Sequence, residues 1–357
     1  MLTLAIQPDK QLLMSGRRQS FSSDWVERAR TSGIGTRLVN VYDGNLRQQL
    51  DGCDGFLWWF AHLPEIRNVG TRVIQAIGHG MRLPTFPNRR TIWHFDDKLA
   101  QAYLLDAAGI PMPATWIFWR RGAAREFART ARYPLVMKLA GGIVSENVRR
   151  VDSADEAAFW IEQLFGPGVT SLSGWPPAAP MRQMLRRVRD ARKALLGRSV
   201  IPTSRRVDLQ RGYVLFQELV PGNEFDTRVT VIGGRAFAFR RFNRPDDFRA
   251  SGSGRIDWDP GAIDLAAVTL AFQVAAALGT QSLAVDVLRS TEGRLVLTEI
   301  SYYYEGRAVH DCPGHWTPDL TWHPGHVAPE DAIFDDFVQS ISAVAASAGV
   351  LAARSNR

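Results

Sequence analysis

Lysine is nearly absent from this 357-residue chain: of its 43 lysines and arginines, only Lys10, Lys98, Lys138 and Lys193 are lysine. A chain that uses arginine by default keeps lysine where a compact point charge is useful, as against a phosphate. Cysteine is scarce too. Cys53 and Cys312 are the only two, which excludes a disulfide framework and suits a reducing cytoplasm. No segment offers the ~20 apolar residues of a membrane span, and the alanine-rich stretch 341–352 is short and follows Asp335 and Asp336. The opening MLTLAIQP lacks a basic start before a long apolar run, so it reads as a strand and not a signal peptide. Two phosphate motifs are missing as well. There is no G-x-x-x-x-G-K-[ST], which excludes a P-loop, and residues 1–90 hold no G-x-G-x-x-G, which argues against a dinucleotide fingerprint.

What is present is a large apolar fraction, 45%, and a net charge of +7. The first predicts a globular chain of two or three domains, each of about 100–200 residues. The second asks for an anionic ligand, and nucleotide, nucleic acid or acidic membrane would all satisfy it. Residues 134–151, PLVMKLAGGIVSENVRRV, are the stretch around which the rest is organised. Leu135, Val136 and Met137 predict a strand, Lys138 interrupts it, Gly141 and Gly142 loosen the backbone, and Val148 to Val151 resume a strand. A lysine inside an apolar strand needs an anion. The glycine turn can bring N–H groups to phosphate oxygens, with Ser145 adding a hydroxyl, although a surface hairpin with a snorkelling lysine has the same spacing.

Residues 1 to about 90 alternate apolar runs and helical stretches (LTLAI, 25–30, RLVNVY, GFLWWF, 71–77), predicting a small α/β domain with a parallel sheet closed by LPTFPNRRT. Residues 95–108 predict an amphipathic helix with Asp96, Asp97 and Lys98 in its first turn. A lysine there needs a bound anion or those aspartates to offset the helix dipole. Residues 154–165 predict another helix. After an irregular stretch, MRQMLRRVRDARKALLG forms a basic amphipathic helix suited to a solvated face, an acidic substrate, nucleic acid or a membrane surface. Then come a strand ending in QELVPG, two strands joined at Gly233–Gly234, and a flexible DDFRASGSGRID with Arg249, Ser251 and Ser253, suited to closing over an anion. A helix over 264–278 precedes two apolar strands that contain Asp286 and Glu299. Unpaired carboxylates are costly there, so both point at one divalent cation or at ion-pair partners.

In this order, Lys98, Lys138 with its glycine turn, QELVPGNEFDTR, RRFNRPDDFR, Asp286 and EIS resemble the ATP-grasp superfamily over residues 88–304. The likeness is to its carboxylate-amine ligase branch, such as the ribosomal-protein glutamate ligases, and more distantly glutathione synthetase and D-alanine:D-alanine ligase. It implies an α/β fold of α+β lobes: an N-terminal Rossmann-like domain (1–90), a small lobe (91–220) carrying the glycine loop and a basic helical insertion (166–212), and a large lobe (221–357), with ATP clamped between two β-rich lobes. It implies that Lys98 and Lys138 hold phosphates under Gly141, Gly142 and Ser145. Gln217, Glu218, Leu219 and Val220 would hold adenine, with Glu224 or Asp226 on the ribose. Asp286 and Glu299 would bind Mg2+, with Ser301 where the family has asparagine. Arg228, Arg241 and Arg249 would stabilise the transferring phosphoryl group or bind the substrate carboxylate. Here DFRAS stands for the family's DFR-x-N, which bears on acceptor recognition.

The implied function is ATP-dependent joining of a small-molecule carboxylate to an amine through an acyl phosphate, in the cytoplasm, with a possible homo-oligomer. A small-molecule kinase on the same fold is the alternative, and a nucleic-acid-binding or regulatory protein with a degenerate ATP site is a second; nucleic acid is not the expected partner. The tail with His310, Cys312, His315, His323 and His326 offers an H-x-C-x2-H pattern that matches no common zinc spacing. It predicts a cover for the acceptor pocket, with His310 or His315 a candidate base.

Overall fold

The computed structural model describes residues 2–9, 20–142, 147–170, 172, 208–244, 247–250 and 252–355, with side chains described to residue 343. The basic helix, Ser145 and Ser251 lie outside the described residues.

Among the described residues, three sheets carry the fold. The first is parallel: β1 (Thr3–Ile6), β2 (Gly35–Leu38), β3 (Gly55–Leu57) and β4 (Thr85–Phe86), ordered β2-β1-β3-β4. Helices α1 (Phe21–Thr31) and α2 (Pro64–Gln75) lie between its strands in sequence. Ser20 caps α1 by accepting from Ser23 N, and Trp25 and Ala29 bury its apolar stripe. Helix α3 (Lys98–Ala107) then leads to the second sheet. It starts three residues later than the sequence predicts, because Asp97 is its cap: Asp97 Oδ1 accepts from Leu99 N at 3.1 Å and Ala100 N at 3.0 Å.

The second sheet is antiparallel: β5 (Thr115–Phe118), β6 (Leu135–Lys138), β7 (Val148–Val151) and β8 (Val214–Glu218), ordered β5-β8-β6-β7. Helices α4 (Arg121–Thr130) and α5 (Ala154–Phe165) cover one face, where Ala124, Ala128, Trp160 and Ile161 share a core with Met137 and Phe216.

The third sheet contains β9 (Phe225–Ile232), β10 (Arg235–Phe242), β11 (Ile256–Asp257), β12 (Ser282–Arg289), β13 (Leu295–Ser301), β14 (Gly314–Trp316) and β15 (Trp322–Pro324). Its order is β13-β12-β9-β10-β14-β15, with β11 on β10. Alternation along these strands sorts the side chains. Val229, Val231, Ala236, Ala238, Leu283, Val285 and Val287 pack with helix α6 (Leu265–Leu278), which Asp264 caps. The intervening residues Asp226, Arg228, Arg241 and Asp286 therefore share the opposite face.

On that opposite face the sheet meets the first sheet through an aromatic seam. Trp59, Phe60, Phe95 and Tyr302 belong to one core with Phe237 and Phe239. Buried Tyr302 donates its hydroxyl to Phe60 O at 2.5 Å and accepts from Phe60 N at 3.1 Å. The last helix, α7 (Pro329–Ser355), packs on α1: Trp25 Nε1 donates to Glu330 O, and Arg28 pairs with Asp335.

Candidate active site

Lys98 and Lys138 come together between the second and third sheets, in a cleft that is partly open to solvent. Gln101, Thr115, Gln217, Leu297, Thr298 and Glu299 also line it. Lys138 is the last residue of β6, and its Nζ donates to Thr298 O at 3.1 Å. That carbonyl is presented by a bulge. Asp286 opposes Glu299 and Val287 opposes Leu297, so Thr298 is the extra residue on β13. Lys98 Nζ lies 3.3 Å from Glu299 Oε1 and 3.3 Å from Gly142 O. The dipole that Lys98 opposes at the start of α3 is thus offset by a carboxylate from the third sheet.

Burial acts on both ammonium groups. It pushes Lys138 down to about 8, with Lys98 adding to the effect and Glu299 and Asp286 opposing it. For Lys98, burial also disfavours the charge, but Glu299 and Asp96 outweigh it and hold the group above its ordinary value. Two cations facing one half-exposed carboxylate leave a positive surplus suited to a polyanion.

The glycine turn is fastened from below. Gly142, with φ of +129°, donates its N–H to Asp96 Oδ1 at 2.8 Å, and Asn147 Nδ2 donates to Gly141 O at 2.6 Å. A Cβ on Gly142 would collide with Asn147, so the turn requires glycine there. Tyr213 Oη accepts from Ala140 N at 2.7 Å. Gln217 is buried and donates to Thr115 Oγ1 at 2.9 Å, Leu219 and Val220 are half-buried, and Glu218 and Glu224 are exposed. Glu218 N–H donates to Ala114 O, and Glu224 O accepts from Asn243 N.

On the third sheet, two arginines and two aspartates form one network. Arg228 pairs with Asp286 through Nε at 2.7 Å and Nη2 at 2.8 Å, and Arg241 pairs with Asp226 at 2.7 and 2.6 Å. Arg241 Nη2 also reaches Asp286 Oδ2 at 2.7 Å. Burial opposes ionisation of Asp286, but Arg228 and Arg241 overcome it and hold the carboxyl well below its usual range. In Asp226 burial wins, and its carboxyl is raised despite Arg241. Arg249 is held by Asp247 and donates to Val148 O at 3.4 Å, linking its loop to β7.

These contacts bear on where magnesium fits. Asp286 accepts three guanidinium hydrogen bonds, which leaves its oxygens little capacity for a cation. Ser301 Oγ donates to Tyr303 O at 2.8 Å and accepts from Tyr303 N at 3.2 Å. Glu299, half-exposed on the cleft, is the carboxylate that fits, since magnesium is often held by one or two carboxylates and substrate phosphates. Among the described residues, no three His, Cys, Asp or Glu side chains gather as a metal cluster. In the tail, His315 stacks on His323 and His310 on His326, while Cys312 is buried under Ala238 O and Ala308 O.

Sequence reasoning misses Arg67, Asp96 as a turn anchor, Asn147 and the Thr298 carbonyl. The first three are polar residues whose partners lie far along the chain or across a turn. The bulge leaves no compositional mark.

No protein-family model matches the sequence, and no curated protein matches it. Its fold does match solved structures: the three sheets and their cleft are the ATP-grasp fold. D-cycloserine synthetase DcsG matches with a TM-score of 0.55 and 17% identity over 94% of this chain and 99% of that one. ATP-grasp ligase PsnB, complexed with precursor peptide PsnA2 and AMPPNP, matches with a TM-score of 0.54 and 14% identity over 95% and 98%. A RimK domain ATP-grasp protein from Sphaerobacter thermophilus matches with a TM-score of 0.53 and 16% identity over 94% and 99%. Among the described residues, no helix is long and apolar enough to cross a membrane.

Proposed function

We propose that this chain is an ATP-dependent ligase that joins a carboxylate to an amine through an acyl phosphate and releases ADP and phosphate. The observation that carries the reading is the convergence of buried Lys98 and Lys138 with Glu299 on one cleft. The ligase and synthetase names of the fold neighbours support it over a kinase.

In this reading the nucleotide phosphates take up the surplus positive charge of the two lysines. A phosphate beside Lys138 favours its charged form and so opposes the downward push of burial. Gln217 to Val220 hold the adenine, and exposed Glu224 is free of the arginine network and reaches the ribose. Glu299 is the carboxylate that holds magnesium, whose contribution when bound is to neutralise phosphate charge.

Asp286 stands directly opposite Glu299 across β12 and β13, and it pairs with Arg228 and Arg241, so both arginines share a sheet face with Glu299. There they offset charge on the transferring phosphoryl group or bind the substrate carboxylate. Attack of that carboxylate on the γ-phosphate breaks its bond to the β-phosphate oxygen, giving the acyl phosphate and ADP, and attack of the amine on the carbonyl carbon expels phosphate as the nitrogen loses a proton. Asp226, Arg249 and Ser301 keep supporting roles around these groups.

The test is ADP and phosphate release with magnesium-ATP across pools of carboxylates and amines, followed by mass spectrometry. A product whose mass is the sum of acid and amine less water supports the ligase. A stable phosphorylated product formed without an amine replaces it with the kinase.

A further inference from the structure

Asp96 has a left-handed backbone, with φ of +51°, which is uncommon outside glycine though more often tolerated by Asp and Asn. A non-glycine residue held in that region is a reason to look for what holds it. Its side chain is 8% exposed. Arg67, on α2 beside the first sheet, donates through Nη1 to Asp96 O at 3.0 Å and to Asp96 Oδ2 at 2.6 Å. Its Nη2 lies 2.5 Å from Asp208 Oδ2.

The other oxygen of Asp96 accepts from Gly142 N, and Lys98 N donates to Ala140 O at 2.9 Å. The start of α3 and the glycine turn are thereby fastened to each other. Gly141 has no side chain where a Cβ would stand 3.1 Å from Arg67 Nη1 and 3.2 Å from Asp96 Oδ2, so the ion pair sits directly against the turn.

We propose that Arg67 and Asp96 are positioning residues: a latch through which the N-terminal α/β unit sets the place of the glycine turn and of Lys98. The proposal rests on the nucleotide reading given above. It adds that the placement of the N-terminal unit and nucleotide affinity are coupled through one guanidinium. A planar fork is needed, because a single ammonium cannot serve Asp96 and Asp208 in the same geometry.

The test uses the full chain and the variants Arg67→Gln, Arg67→Lys and Asp96→Asn. Hydrogen exchange of the peptide containing Gly142, measured without nucleotide, is expected to quicken about tenfold in all three while peptides of α6 keep their protection. The KM for ATP is expected to rise about tenfold with kcat changed less than threefold. Unchanged exchange at Gly142 overturns the latch, and so does full restoration by Arg67→Lys. If Arg67→Gln fails to fold, Asp96→Asn carries the same measurement. If the wild-type chain binds no ATP, the nucleotide reading fails, while the exchange result still decides whether the latch exists.

Discussion

Arg241 reaches across β9 to Asp286 on β12, with Nη2 2.7 Å from Oδ2, while Arg228 on the intervening strand holds the same carboxylate. Two positive and two negative side chains are thus held nearly dry on one sheet face. Removing one member leaves a buried charge without its partner, which is costlier than the pair's net contribution. Asp286→Ala is expected to destabilise the protein by about 3–5 kcal/mol, read as a lower urea midpoint. An unchanged midpoint would show that water enters the network freely.

Lys138 should cost stability in return for function. Its folded-state pKa of about 8 lies below the ordinary lysine value, so the unfolded chain binds more protons between about 8 and 10.5. Stability from this group therefore rises with pH across that window. Lys138→Met is expected to stabilise the protein at pH 7 by roughly 1–3 kcal/mol while abolishing ATP turnover. Urea titrations at pH 7 and pH 9.5 check both parts, because the pH slope from this group should vanish in the variant.

His94 is buried and His62 half-buried, and desolvation pushes each down to about 4. The unfolded chain takes up protons at these positions near pH 6.5, whereas the folded protein resists until about pH 4. Stability should therefore fall as pH drops through this window. His94→Gln should flatten the fall between pH 6.5 and 4.5, measured by thermal unfolding; an equally steep loss would place the acid sensitivity elsewhere.

Tyr302→Phe removes the hydroxyl that both donates to Phe60 O and accepts from Phe60 N. Leaving those buried backbone groups unpaired is expected to cost about 1–3 kcal/mol. Calorimetry should show the loss, and a melt identical to wild type would contradict it.

Much of this is legible in residue order. The run Leu135 to Lys138, the glycines after it and the strand Val148 to Val151 announce a hairpin because one charge interrupts an otherwise apolar period. The helices read over 154–165 and 264–278 are α5 and α6, the second starting one residue later because Asp264 is its cap. Partnerships are not legible. Asp286 and Glu299 read as a pair awaiting a cation, yet Arg228 and Lys98 are the charges they meet in the structure. Which opposite charge a buried carboxylate meets depends on strand register, and register is fixed by the whole sheet. Arg67 carries no signal at all, since its partner Asp96 lies 29 residues away at the start of another element.

Trp25 and Glu330 are hydrogen-bonded across 305 residues of sequence. During synthesis the first sheet emerges early, whereas the helix that covers α1 follows only after the two later sheets. The ribosome must therefore make 305 further residues before the indole of Trp25 finds its acceptor, and until then the flank of α1 that this helix covers stays open.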